Sequence, residues 1–230
     1  MRAALLVLVL LSGPAFAAPP EASPRPMTRP AAADVVSSGT APQSSPLPRA
    51  RKGSPSPKAS GAICGAAGLT GRHLAPVTSR QQGCGIADPV QIVAVQGVKL
   101  SLPLTMDCSI ARALNEWVGT VLQPNFGGQV RRLDVAGAYA CRGRNNIDGA
   151  KISEHGKGRA VDVAGLTMTD GRSITVARDW NRGRDGQKMT QSYKAGCGIF
   201  GTTLGPGSDG YHEDHMHFDM PSDRRSPYCH

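Results

Sequence analysis

The sequence predicts an α+β domain: a small antiparallel sheet with flanking helices, braced by disulfides. Three observations predict it. Short runs with alternating apolar and polar residues recur along the second two thirds of the chain. Only one segment there has a clear helical period. Six cysteines, Cys64, Cys84, Cys108, Cys141, Cys197 and Cys229, are spread through it without a CxxC pair. Strands mixed with one or two helices fit helices packed on an antiparallel sheet.

The elements follow in chain order. Arg2, the apolar run Ala3 to Leu11, and Ala15-Phe16-Ala17 have the charge, apolar core and A-x-A end of a secretory signal. Residues 1–17 are therefore expected to be a signal peptide cut near Ala17. The run is too short for a bilayer, which needs about 20 apolar residues. The protein is expected to be exported, periplasmic or extracellular, with no transmembrane segment. Widely spaced, even-numbered cysteines agree with an oxidising compartment. A structural zinc site on cysteines usually draws on close pairs, which are absent. Six cysteines allow 15 pairings, and the sequence does not choose among them.

Residues 18–60 hold ten of the chain's 18 prolines and show neither helical nor strand period. A disordered or extended linker is expected. Six basic side chains against Glu21 and Asp34 make it basic. A solvated spacer is the plain reading; weak contact with an anionic envelope surface is the sharper one.

Residues 61–230 read as one domain, long enough to bury a single core. "DCSIARALNEWVGTVL" places Ile110, Leu114, Trp117, Val118 and Val121 on one helix face, with Asp107 as N-cap and Pro124 as stop. "VQIVAV", "QVRRLDVAG", "RAVDVAGLTM", "SITVA" and "HMHFDM" read as strands. Thr169-Asp170-Gly171 signals a hairpin between the third and fourth. "GPGSDG" at 205–210 matches G-x-G-x-x-G but opens no helix, so it reads as a turn.

Two strands carry chemistry. In "GRAVDV", Val161 and Val163 share one face and Asp162 takes the other. Gly156 and Gly158 let the backbone turn so that His155 can return beside Asp162. In "HMHFDM", Met216, Phe218 and Met220 face a core, while His215, His217 and Asp219 face away. If these strands pair, His155, Asp162 and His217 converge. Two imidazoles and a carboxylate suit Zn2+ and leave a fourth position open, the catalytic pattern. The plainer alternative is a loose surface patch of histidines.

"SEHGKGRAVD" resembles the S-x-H-x-x-G-x-A-x-D pattern of zinc D-Ala-D-Ala carboxypeptidases and related murein endopeptidases. "HEDHMHF" resembles the H-x-x-H-x-H pattern of penicillin-insensitive murein endopeptidases. Lysostaphin-type peptidases and the hedgehog signalling domain share this superfamily. "AYACR", "LGPGSDGYHEDHMHFD" and the terminal "YC" resemble the bacterial extensin-like C-terminal domain family. The resemblance implies a hedgehog-like fold, with His155, Asp162 and His217 as zinc ligands. It also implies hydrolysis of amide bonds in peptidoglycan peptides. The alternative is a wall- or protein-binding module that keeps zinc only structurally.

Zinc lowers the pKa of a bound water toward about 7, and a general base must reach that water. His215 shares the ligand face and ranks first; Asp214, at the carboxylate position of some carboxypeptidases, ranks second. His212 could orient substrate or water. Asp219 could fix an imidazole tautomer or be a surface strand carboxylate. Arg142, with Arg144 as alternate, could hold a substrate carboxylate or steady an oxyanion, or be merely solvated. Nucleic-acid binding is excluded: net charge is +9 with much of it in the linker, and aromatics are 4%.

Deleting residues 18–60 is expected to leave the thermal midpoint of the remaining domain within a few degrees of the full chain. Differential scanning calorimetry checks this.

Overall fold

The computed structural model describes residues 62–221 and 226–230. The signal and linker readings lie outside the described residues. Among the described residues no helix is long and apolar enough to cross a membrane.

The chain starts with β1 (Leu69–His73), a small hairpin of β2 (Val77–Thr78) and β3 (Gly85–Ile86), then β4 (Pro89–Val95) and β5 (Val98–Asp107). Helix α1 (Cys108–Trp117) runs into a π-turn (Val118–Leu122) and a last short turn, α2 (Gln123–Asn125). β6 (Val130–Gly137), β7 (Ala160–Met168) and β8 (Ser173–Thr175) follow. After α3 (Val176–Asp179) and α4 (Gly183–Lys194) come β9 (Thr202–Leu204), β10 (Met216–Asp219) and β11 (Tyr228–Cys229).

The main sheet has nine strands in the order β1-β4-β5-β6-β7-β10-β9-β11, with β8 beside β7. β5 and β6 pair parallel, as do β9 and β11; the other pairs are antiparallel. The expected small antiparallel sheet with flanking helices is thus corrected to a large mixed sheet with few helices. The reason is local. α1 is the crossover between β5 and β6, and such a connection returns the chain parallel. β5 itself was hidden: Pro103 lies in "VKLSLPLTMD", and its pairing with β4 breaks register between Ile92 and Ala94. A bulge there tolerates the proline. "SITVA" becomes a strand only to Thr175 and then turns into α3.

α1 begins as its sequence directs. The Asp107 carboxylate accepts from the Ser109 N–H at 2.8 Å, the capping bond that ends an otherwise orphaned donor. Ile110, Leu114, Trp117, Val118 and Leu122 are fully buried; Val121 packs at the margin. Helical geometry continues past Pro124 to Asn125, one residue beyond the expected stop. The Trp117 indole N–H donates to the Ser192 carbonyl at 2.8 Å, which satisfies the polar atom of a buried ring. That ring meets Phe218 of β10 at 5.0 Å and Phe200 at 6.2 Å. The core therefore touches the reverse side of the strand that carries His217.

α4 escaped the sequence reading because its apolar signal is sparse. Met189 and Tyr193, one turn apart, are its large buried side chains. Gly186 is buried too, and only glycine fits there, since a Cβ would stand 1.8 Å from the Asp179 carbonyl.

The cysteines pair as Cys64–Cys108, Cys84–Cys141 and Cys197–Cys229, with separations of 44, 57 and 32 residues. No described cysteine is free. In the chain-entropy account, loops of these lengths each stabilise by roughly 4 kcal/mol. Replacing Cys84 and Cys141 together by alanine is expected to lower the unfolding free energy by about 2–5 kcal/mol. Urea denaturation followed by circular dichroism measures it.

Candidate metal centre and cleft

β7 and β10 pair antiparallel with His217 opposite Asp162, Met216 opposite Val163 and Phe218 opposite Val161. Val161, Val163, Met216 and Phe218 are completely buried on the core side. Alternation then sends Asp162, His217 and Asp219 to the opposite side.

His155 reaches the same point from a short 3-10 turn, Glu154–Lys157. Ser153 caps that turn, its hydroxyl oxygen accepting from the His155 N–H at 3.3 Å. Gly158 ends it in the left-handed region at φ 68°, where a side chain would also strike Ile86 at 2.2 Å. Gly156 matters for space rather than for φ: a Cβ there would sit 2.8 Å from Ile152 and 3.1 Å from the Cys84 sulfur.

His155, Asp162 and His217 each place one ligand-type atom within 4.8 Å of the others, and all three residues are buried. His155 Nε2 is 3.1 Å from Asp162 Oδ2 and 3.2 Å from His217 Nδ1. His217 Nδ1 is 2.8 Å from Asp162 Oδ1.

The outer hydrogen bonds fix what these inner atoms are. His155 Nδ1 lies 2.5 Å from the Ala138 carbonyl, which can only accept, so Nδ1 carries the proton. His217 Nε2 lies 3.0 Å from the Asp219 carboxylate and donates to it. In neutral rings His155 Nε2 and His217 Nδ1 are then lone pairs, aimed at each other and at a carboxylate. Three buried acceptors at these distances need a cation between them. A proton can serve: burial opposes charge on His217, but hydrogen bonds to Asp162 and Asp219 outweigh it and raise its pKa to about 9. Burial likewise works against the Asp162 carboxylate, yet its bonds from His155 and His217 hold its pKa well below the usual range. A divalent metal fits the same atoms, and ligand histidines with their second nitrogen tied to a carbonyl or carboxylate are the usual arrangement.

The cluster forms part of the wall of a cleft of about 610 Å³. His215 stands beside it, Nε2 3.7 Å from Asp162 Oδ1. Its Nδ1 is 2.8 Å from Asp214, whose side chain is 77% exposed. Asp214 therefore points to solvent and orients His215. His212 also lines the cleft, its ring 5.2 Å from His217 and 5.0 Å from His215. Burial, only partly offset by Asp209, pushes His212 below its ordinary pKa and keeps it neutral near pH 7. Arg142 and Arg144 line the cleft from another wall.

Several contributors were missed from sequence. Asp209 holds His212 Nδ1 at 2.7 Å from within the "GPGSDG" turn; the spacing D-x-x-H was its signal. Glu154, buried and paired with Lys157 at 2.7 Å, adjoins His155. The Ala138 carbonyl carries no sequence signal at all.

A mixed, disulfide-braced sheet with a buried His–Asp–His cluster beside a polar cleft defines a small β-rich domain with a metal-type centre. The family model described as Extensin-like protein C-terminus matches residues 63–230, and the chain belongs to that family. No curated protein and no solved structure matches the chain.

If the cluster takes up zinc, each of His155→Ala, Asp162→Ala and His217→Ala is expected to abolish that uptake. Asp219→Ala is expected to weaken it by about 10–100-fold, the range for losing the partner that orients a ligand imidazole. Competition titration against a chromophoric chelator measures both.

Proposed function

We propose that this chain is an exported zinc-dependent peptidase that hydrolyses amide bonds in peptidoglycan peptides. One observation carries the reading: the inward-facing nitrogens of His155 and His217 converge with the Asp162 carboxylate at an open cleft. A structural zinc site is usually closed by four protein ligands; here three groups meet beside a cavity, the pattern of a catalytic site. The motif resemblance to zinc D-Ala-D-Ala carboxypeptidases and murein endopeptidases supports the substrate class. Three disulfides and the N-terminal signal pattern support export.

His155 Nε2, His217 Nδ1 and Asp162 would hold the metal. Zinc bound there would polarise a carbonyl and lower the pKa of a water toward about 7. The protein's own contribution is proton handling and orientation. Asp214 accepts from His215 Nδ1, which leaves Nε2 free to take a proton from an attacking water and return it to the leaving amine. His212, held neutral and anchored by Asp209, presents its other nitrogen for substrate or water. Asp219 and the Ala138 carbonyl keep both ligand imidazoles in the tautomer that exposes a lone pair.

The test is digestion of purified peptidoglycan by zinc-loaded protein, with released fragments read by mass spectrometry. His215→Ala is expected to keep its zinc and lose about 10²–10⁴-fold in rate. Asp214→Asn is expected to lose less, because the His215 ring remains. A fully zinc-loaded wild type that releases nothing would leave the non-catalytic binding module as the better reading.

A further inference from the structure

Burial divides the aromatic side chains. Trp117, Phe126, Tyr193, Phe200 and Phe218 are withdrawn into the core. Tyr211 and Tyr228 are instead 54% and 46% exposed, and both line the cleft beside the His–Asp–His cluster. A large ring left in water forgoes the stabilisation that its burial would bring. Exposed apolar groups rimmed by polar ones mark a binding surface.

Both rings stand on backbone that is tied down. Asp209 Oδ1 accepts from the Tyr211 N–H at 3.0 Å and lies 2.7 Å from His212 Nδ1, so one carboxylate fixes the tyrosine backbone and the neighbouring cleft histidine together. Glu213 closes the same loop by accepting from the Gly207 N–H at 3.0 Å. Tyr228 belongs to β11, where its N–H donates to the Gly201 carbonyl at 2.9 Å. The next residue is held by the Cys197–Cys229 disulfide, and the His230 ring lies 4.2 Å from the Tyr228 ring. Strand register sets the distance to the cluster. Asp219 of β10, Thr202 of β9 and Tyr228 of β11 are successive cross-strand partners, and all three line the cleft. Neighbouring strands lie about 4.8 Å apart, which puts Tyr228 about 10 Å along the sheet from Asp219, the carboxylate that orients His217.

We propose that Tyr211 and Tyr228 form a saccharide subsite, which stacks on a pyranose ring of the glycan strand while the attached peptide reaches the His–Asp–His cluster. The inference rests on the peptidoglycan reading of the cleft. An extended peptide advances about 3.5 Å per residue, so about three residues cover the distance from the cluster to Tyr228. Wall peptides are of that size and are joined at their amino end to a sugar. A pyranose has a flat face of C–H bonds and a rim of hydroxyls. A tyrosine matches both, with an apolar ring and a polar tip. The cleft repeats the match: Leu204 and Pro221 line it beside the two rings, and histidines and carboxylates make up much of the remainder. The substrate class narrows accordingly, to peptides still attached to glycan in preference to free peptides.

The test is calorimetric binding to the full-length zinc-loaded chain on a His215→Ala background, where turnover is slow. The probes are a disaccharide tetrapeptide released from purified wall and the same tetrapeptide carrying an N-acetyl group in place of the sugars. The sugar-bearing probe is expected to bind roughly tenfold more tightly, the combined range of two aromatic stacking contacts. Tyr211→Ala with Tyr228→Ala should remove that preference while zinc content and thermal midpoint stay unchanged. Tyr211→Phe with Tyr228→Phe should keep most of it, since the ring face remains. Equal binding of the two probes, no binding of either, or a preference that survives loss of both rings overturns the subsite. So does an equal loss for both probes in the double alanine variant, which would place the rings against the peptide. A ring-dependent sugar preference without any cleavage by zinc-loaded wild type would keep the subsite and overturn the peptidase reading instead.

Discussion

β7 and β10 pair with Val161 against Phe218, Val163 against Met216, and Asp162 against His217. This register governs both sides of the sheet at once. On the core side four apolar side chains are withdrawn from water, each burial stabilising by about 1.5–3 kcal/mol. On the cleft side the same alternation forces an aspartate and a histidine together out of reach of bulk solvent. A slip of one residue would exchange the faces, exposing Phe218 and burying His217 in the aromatic cluster around Trp117. The hydrophobic gain on one face therefore holds in place, on the other, a buried cluster of acceptors that calls for a proton or a metal cation between them.

What makes that meeting chemically specific is the ring of partners outside it. The Ala138 carbonyl follows directly from the end of β6, whose pairing with β7 shifts register between Val135 and Gly137. Such irregularities re-aim groups at the rim of a sheet. Asp219 comes from the same strand as His217, two residues on, so one element supplies a ligand-type imidazole and its orienting carboxylate. His155 depends on different forces: a serine cap, a left-handed glycine and close packing against Ile152 and the Cys84–Cys141 bridge. The disulfide thus braces both the turn that carries His155 and the segment that carries Arg142.

The large mixed sheet explains how a short chain builds a cleft with walls of different charge. β7 and β10 lie side by side near one end of the strand order, with β9 and β11 beyond them. The carboxylate-tethered histidines rise from the β9–β10 connection, and Arg142 and Arg144 from the connection after β6. Neither wall needs a helix to position it, and the helices α1 and α4 instead cover the core side through Trp117, Met189 and Tyr193.

The sequence by itself determined the parts that depend on local period and chemistry. Alternation in "RAVDV" and "HMHFD" separated core valines, Met216 and Phe218 from Asp162, His217 and Asp219, because side chains change face at every residue of a strand. Asp107 as helix cap and the Thr169–Gly171 hairpin were equally local, since each depends on neighbours within a few residues. The tertiary structure alone decided the rest. Parallel pairing of β5 with β6 depends on where a crossover helix lands, and β5 is interrupted by a proline that only its bulge makes tolerable. The disulfide partners lie 32 to 57 residues apart, beyond any local pattern. The same holds for the Ala138 carbonyl, a backbone atom with no residue type to announce it. Which backbone atom a buried imidazole meets is a property of everything packed around it, and no stretch of sequence contains that.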